Sequence, residues 1–326
     1  GYYIYRKAPG ETSWKYLATV KNSTNYIDTT VLNNKRYSYN IRAIRNGFYS
    51  EMGQTPLETK FVKAPEFTVY NTVKGITVKW TTVSGAGGYK VFRKVSGGDW
   101  KLLKTVAGNK TAYADTNTKR GTTYQYAVRA VNGDYVSGYF TKSIKSVDAP
   151  MNLTIKNKAA GVSVSWNKCA GASGYYVYRK TASGTWKKIA TVKGINNLSY
   201  IDKNVKSGIF YTYRVKAYSG SYVSTYVLDG IKIRFLAAPK ISSAVSTKNG
   251  IKIKIKAVNG SKGYYVLRRG FGESWVRIKT ITNPNNLVYI DKTARKGKTY
   301  IYTIKAYNGS TVSGYYSNGA EVKDIY

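Results

Sequence analysis

The sequence predicts an all-β chain of tandem antiparallel β-sandwich modules, joined as an extended rod, with the first module incomplete. Three observations lead there. A Tyr-x-Asp triplet recurs at Tyr26/Asp28, Tyr113/Asp115, Tyr200/Asp202 and Tyr289/Asp291, at intervals of 87, 87 and 89 residues, the length of one small domain. Behind each triplet comes a run in which every second residue is aromatic or aliphatic: "YSYNIRA" from Tyr37, "YQYAVRA" from Tyr124, "YTYRVKA" from Tyr211 and "YIYTIKA" from Tyr300. Period-2 alternation of this kind is the mark of a strand buried on one face. Finally, the units meet at "VKAP", "VDAP" and "LAAP", short junctions ending in Pro65, Pro150 and Pro239, with no Gly/Ser linker to let them bend.

In chain order, each unit opens after its proline with an edge strand. The next strand is "GITVKW" (Gly75–Trp80), "GVSVSW" (Gly161–Trp166) or "GIKIKI" (Gly250–Ile255), and in the last Ile251, Ile253 and Ile255 face inward while Lys252, Lys254 and Lys256 face water. The third strand is "GYYIYRK" at the start of the chain, "GYKVFRK" from Gly88, "GYYVYRK" from Gly174 and "GYYVLRR" from Gly263. Its parity places Tyr89, Val91 and Arg93 on the core side and Lys90, Phe92 and Lys94 on the solvent side. Tyr2 and Ile4 are the inward pair of the first copy, and Tyr265 and Leu267 face out in the last. A fourth strand follows a tryptophan, with Leu17, Leu103, Ile189 and Ile278 as its core residues. In the long alternating run, Tyr124, Tyr126, Val128 and Ala130 point inward and Gln125, Ala127 and Arg129 outward.

Composition narrows the function. The 326 residues carry 53 Lys+Arg against 15 Asp+Glu, a formal charge of +38, so the chain attracts anionic surfaces with salt-sensitive affinity. With no histidine and one cysteine, the usual metal sites and His-based triads cannot be assembled. No metal or other cofactor is expected, and no enzymatic activity. No run approaches the 18 or so apolar residues of a membrane-spanning helix.

These landmarks resemble tandem fibronectin type III modules. Trp80 and Trp166 match the tryptophan that ends the second strand in that family, whereas Ile255 departs from it. Tyr37, Tyr124, Tyr211 and Tyr300 match its tyrosine corner, and Tyr89, Tyr175 and Tyr264 the strand beginning Gly-Tyr-x-Val. The resemblance implies a partial module at 1–62 lacking its first two strands, then modules at 63–147, 148–236 and 237–326. The start inside a module is expected to mark a segment of a longer array; donation of the missing strands by a neighbouring chain, and hence self-association, is the alternative. The dialect is similar to modules of large Gram-positive bacterial surface proteins, which implies an extracellular, cell-surface spacer or adhesive stalk, next to neighbouring modules of a longer chain.

Parity brings Tyr3, Tyr5, Trp14, Phe92, Trp100, Tyr176, Tyr178, Trp186, Tyr265 and Trp275 to the outer face of one sheet, ringed by Lys and Arg. That set is a candidate platform for sugar rings or bases, as in a carbohydrate-binding module; equally it suits cross-strand aromatic pairs and cation–π contacts that stiffen a sheet. The lysines suit anionic cell-wall or glycan polymers and also guard strand edges. One Asp per unit is too few for a calcium cage or paired acid–base work, so the Tyr-x-Asp carboxylates are expected to cap turns. Cys169 stands where Val83 and Val258 stand in other units and reads as a small buried apolar residue. "SGAGGYK" (Ser84–Lys90) lacks the helix of a phosphate loop and reads as a turn, and triplets such as Asn22-Ser23-Thr24 and Asn109-Lys110-Thr111 matter only in a glycosylating host. The functions left open are a structural or adhesive stalk, a glycan-binding array, and an accessory region of a larger secreted hydrolase.

Overall fold

The computed structural model describes residues 1–227 and 229–326 and is all-β: seven antiparallel sheets, alternately five- and three-stranded, with no helix among the described residues. The second module shows the pattern in full. Its strands run Phe67–Thr72, Gly75–Trp80, Gly88–Val95, Lys101–Ala107, Ala112–Asp115, Thr123–Asn132, Tyr135–Val136 and Thr141–Lys145. The first, second and fifth form one sheet with the second at its centre, while the third and sixth form the centre of the other. There the fourth strand borders the third, and the seventh and eighth both pair with the sixth. Each sheet presents one apolar face, and the two faces close on Ile76, Val78, Trp80, Tyr89, Val91, Tyr124, Tyr126, Val128 and Ala130, all buried. The third and fourth modules repeat this order around Val162, Val164, Tyr175, Tyr213 and around Ile251, Ile253, Tyr264, Tyr302. By compactness the chain divides into two units, Gly1–Ser146 and Val147–Tyr326.

The fourth strand carries a β-bulge at the same place in every module. Val91 pairs with Lys104 and Phe92 with Leu102, so Leu103 is the extra residue, and Leu17, Ile189 and Ile278 are its counterparts. The bulge residue is half-buried, with Ile189 and Ile278 packed on the rims of their cores.

Two expectations from parity are corrected. Ala127, expected outside, is only 2% exposed, because this small side chain lies in register between Phe92 and Thr141. Leu267, also expected outside, is buried beside Thr303, whose hydroxyl donates to the Tyr316 carbonyl in a loop that crosses the sheet there. Tyr2 lines the same cavity as Ile4 and Tyr37, on the inward side expected, and is 38% exposed. Asn25–Asp28 forms no strand, although Ala112–Asp115, Ser199–Asp202 and Val288–Asp291 do.

Within each unit the two modules meet through the same joint. Four residues before the corner tyrosine, Asn33 accepts from the Lys63 N–H at 2.9 Å and donates to the Ser84 carbonyl of the next module at 2.9 Å. At the corresponding place Ser207 accepts from the Ala237 N–H at 3.0 Å and donates to the Asn259 carbonyl at 2.7 Å. One side chain thus ties the junction backbone to the next sandwich. Beside it Asn132 donates to Asn34 at 2.8 Å, and the backbones at Gly208 and Gly260 approach so closely that a Cβ on Gly260 would lie 2.4 Å from the Gly208 Cα.

The glycine that opens each second strand is equally constrained. Gly75, Gly161 and Gly250 have φ of 149°, 142° and 111°, and an added Cβ would lie 2.1, 2.1 and 2.3 Å from the carbonyl oxygens of Asp115, Asp202 and Asp291. Gly161→Ala is therefore expected to cost about 2–4 kcal/mol, from backbone strain plus overpacking. Gly220→Ala, at a hairpin tip with φ 60° and open space around it, should cost only about 1 kcal/mol. Urea denaturation of the two variants checks this, and equal losses would contradict it.

Candidate functional site

The third strand ends in two cations whose side chains go to opposite faces, and both destinations recur in all four modules. Alternation sends the first of the pair inward. Arg93 donates to Asp115 Oδ2 at 2.8 Å, and the Tyr126 hydroxyl donates to the same oxygen at 2.7 Å. Asp115 Oδ1 accepts from the Asn117 N–H, and Arg93 also reaches the Asn117 carbonyl. Arg6–Asp28–Tyr39, Arg179–Asp202–Tyr213 and Arg268–Asp291–Tyr302 repeat this cluster with Arg–Asp distances of 2.7, 2.6 and 2.7 Å. The carboxylates of Asp115, Asp202 and Asp291 are at most 2% exposed. The triplet aspartates therefore do cap the following turn, but they also clamp one sheet to the other.

The same arginines lie over the corner tyrosines, with guanidinium carbons 5.0, 4.9, 5.1 and 4.6 Å from the rings of Tyr37, Tyr124, Tyr211 and Tyr300. Each corner hydroxyl accepts the backbone N–H five residues upstream, from Leu32, Lys119, Lys206 and Arg295. Burial and the hydrogen bond to a carboxylate both push the Tyr126, Tyr213 and Tyr302 phenols upward. Burial alone would weaken the charge on Arg93, Arg179 and Arg268, but the paired Asp outweighs it. Both effects hold the cluster in one protonation state, so it works as a fixed strut with no proton to exchange near neutrality.

The second cation goes outward and covers the tryptophan. Lys7, Lys94, Lys180 and Arg269 lie 4.8, 5.1, 5.0 and 4.9 Å from the ring centroids of Trp14, Trp100, Trp186 and Trp275. Around them the other candidate aromatics are half-buried. Tyr3 and Tyr5 meet Tyr16 edge-on, Tyr176 stacks on Tyr218 at 4.4 Å, and Tyr265 stacks on Tyr307 at 4.6 Å. Tyr178 meets Tyr226 edge-on, while Phe92 lies in register with Ala127. In the second and fourth modules Trp100 and Trp275 also abut Tyr139 and Tyr315, from the loop before the last strand. The structure thus brings the ten sequence-derived platform residues to one face per module, with cations over the tryptophans and rings against the tyrosines.

Two further groups stand apart. Cys169 is buried with its thiol pushed up to about 12 by burial and by the Asp148 charge, which leaves almost no thiolate near neutrality. Among the described residues no group of three His, Cys, Asp or Glu side chains could hold a metal ion. Sequence reasoning missed the Arg–Asp–Tyr cluster and a recurrent serine at Ser50, Ser137, Ser224 and Ser313. Its Oγ accepts from the alanine N–H that ends each alternating run, and its place after every short seventh strand was the available signal.

Removing one partner of the buried clamp leaves an uncompensated charge, so Asp202→Ala is expected to cost about 3–5 kcal/mol in urea denaturation. A loss under about 1 kcal/mol, the worth of a surface pair, would contradict the clamp. Acid should act on the first and fourth clamps. Burial alone would raise the Asp28 carboxyl, but hydrogen bonds from Thr30, Tyr39 and Arg6 outweigh it and hold the group down from 3.8 to about 2. Asp291 moves the same way through Thr293, Tyr302 and Arg268. A carboxyl more acidic folded than unfolded contributes stability that is complete above the unfolded value and is lost as pH falls through the folded one. Urea midpoints should hold from about pH 7 to 5 and fall between about pH 4 and 2, less steeply in Asp291→Asn; parallel curves would contradict the assignment.

No family model matches the sequence. A stretch of 120 residues is 26% identical to the amylopullulanase of Thermoanaerobacterium thermosulfurigenes, covering 36% of this chain and 6% of that protein. Among solved structures, the FN1–FN3 domains of chicken CNTN1 align over 81% of this chain and 99% of theirs, with 15% identity and a TM-score of 0.30. A segment of two fibronectin type III domains from chicken tenascin aligns over 53% of this chain and 99% of its own, with 18% identity and a TM-score of 0.30. The strand order makes the chain a tandem array of antiparallel β-sandwiches, three strands against five in each full module.

Proposed function

We propose that this chain is a non-catalytic structural and adhesive stalk segment of an extracellular bacterial surface protein, with a basic exterior that meets anionic cell-wall or glycan polymers. The repeated joint is the observation that carries it. Asn33 and Ser207 each hold the junction backbone and the next module at once, and glycine backbones pack where a side chain would separate the modules. A joint made of short side chains and backbone resists bending in a way that a flexible linker does not. The carboxylates best placed for chemistry are spent in the four clamps, which supports the absence of catalysis. The formal charge of +38 supports salt-sensitive adhesion.

The amylopullulanase match favours a second reading, an accessory region of a larger hydrolase; the stalk role is common to both. A glycan platform built on open tryptophan faces is less favoured, because each of those faces has a cation over it.

Small-angle X-ray scattering of the whole chain tests the stalk. A compact globule of 326 residues would have a radius of gyration of about 20 Å, and a value well above that is expected. A value near about 20 Å would overturn the proposal. Asn33→Ala combined with Ser207→Ala should broaden the distance distribution while leaving each module folded.

A further inference from the structure

Three residues after each corner tyrosine, the outer face carries Asn40, Ala127, Arg214 or Thr303. In three modules this position is neutral and buried. Asn40 exchanges hydrogen bonds with Gly53, and Thr303 donates to Tyr316. The third module alone places a guanidinium there, against two rings whose counterparts, Trp100 with Tyr139 and Trp275 with Tyr315, meet each other edge-on. The Arg214 guanidinium carbon lies 3.9 Å from the Trp186 ring centroid and 3.7 Å from that of Tyr226. Three more cations flank it, on rings that Arg269, Arg277 and Lys305 cover in the same way in the fourth module: Lys216 is 4.4 Å from Tyr226, Lys180 is 5.0 Å from Trp186, and Lys188 is 4.6 Å from Tyr176. None of these four is in an ion pair among the described residues, and the third module's clamp Asp202 is already taken by Arg179. Arg214 Nε is buried with no acceptor, as is Arg269 Nε in the fourth module. Burial, and then the Arg214 charge, pull the Lys216 ammonium below its ordinary range, a sign that the cations crowd one another.

We propose that this face of the third module, centred on Arg214, is a binding site for an acidic polysaccharide, a sugar chain bearing carboxylate or sulfate groups. The proposal rests on the basic-exterior reading above and narrows it to one module. A guanidinium stacked on rings loses little freedom on binding, and its terminal amino groups can contact two oxygens of a carboxylate or sulfate. Flanking lysines supply charge for successive anionic groups along a chain, a pattern that fits a polymer better than a single small anion. The ring faces are occupied by cations, so the face offers little to the base stacking on which single-stranded nucleic acid relies.

The test uses the whole chain with three labelled probes: an oligogalacturonate, a heparin oligosaccharide and an oligo(dT), followed by fluorescence anisotropy in about 0.15 M salt. Arg214→Gln with Lys216→Gln is expected to weaken saccharide binding by at least ~10-fold, while Lys252→Gln with Lys254→Gln, removing the same charge from the fourth module, should change it less than ~2-fold. Lys180→Gln with Lys188→Gln keeps Arg214 in place and should weaken binding by ~3-fold or more at an unchanged melting temperature, which separates recognition from misfolding. Preference between the galacturonate and heparin probes identifies the carboxylate or sulfate source. Equal losses in the Arg214 and Lys252 pairs would overturn the site and leave the basic stalk standing. Absence of binding to either saccharide by the unaltered chain would overturn the site and the polymer-binding part of the stalk reading together. Tighter binding to oligo(dT) would reassign the face to nucleic acid and overturn the proposal.

Discussion

The rest of each sandwich depends on one buried carboxylate. In a fully formed module Asp115 sits on the fifth strand, at the edge of the three-stranded sheet, while Arg93 and Tyr126 come from the two central strands of the other sheet. A carboxylate taken out of water is tolerable only when its lone pairs are filled, and here both oxygens are engaged. That requirement fixes the spacing between the sheets at this end of the core. It reaches back into the sequence as well: the Asp115 carbonyl comes so close to the start of the second strand that only glycine fits at Gly75. In the first module Asn25–Asp28 forms no strand, and Asp28 is held by Arg6 at 2.7 Å and by Tyr39 at 2.8 Å as in the others.

From this clamp the repeated "RK" dipeptide acquires a meaning that charge alone does not convey. Two adjacent cations on a strand must face opposite ways. The inner one neutralises a buried acid and covers the corner tyrosine; the outer one covers a tryptophan. Arginine holds the inner place in all four modules, where a planar fork can reach the carboxylate and the following turn together, as Arg93 does with Asp115 and the Asn117 carbonyl. The outer place tolerates either Lys or Arg, since a cation over an indole needs only charge and reach.

Much of this was legible in the sequence, for a physical reason. Alternation is a local property, and it identified the strands and the inward tyrosines and valines; the four corner tyrosines came from the resemblance to fibronectin type III modules. What it could not show were consequences of distance. Arg93 and Asp115 are 22 residues apart, and nothing in either segment announces the other. The bulge at Leu103 leaves no trace in the pattern, because an extra residue looks like any other until a partner strand is laid beside it. Ala127 and Leu267 were misplaced because parity names a face and cannot tell whether a loop or a larger neighbour covers it. The joint residues Asn33 and Ser207 differ in type, so repetition did not reveal that they do the same work.

Comparing the modules with one another separates what the fold demands from what it leaves free. Positions that answer to the clamp barely vary: the Arg, Asp and buried Tyr are the same four times over. At the position occupied by Asn40, Ala127, Arg214 and Thr303, two neutral side chains reach a neighbouring loop and an alanine simply fills the space. Any of these satisfies the sandwich, so the fold has no use for a charge there. An arginine costs desolvation that the other three avoid, and its Nε is left without an acceptor. Stacking between Trp186 and Tyr226 offsets part of that cost but cannot supply the missing acceptor. In an array whose modules are otherwise so alike, the one module that puts a charge where the others put a neutral buried side chain is where a partner should be sought.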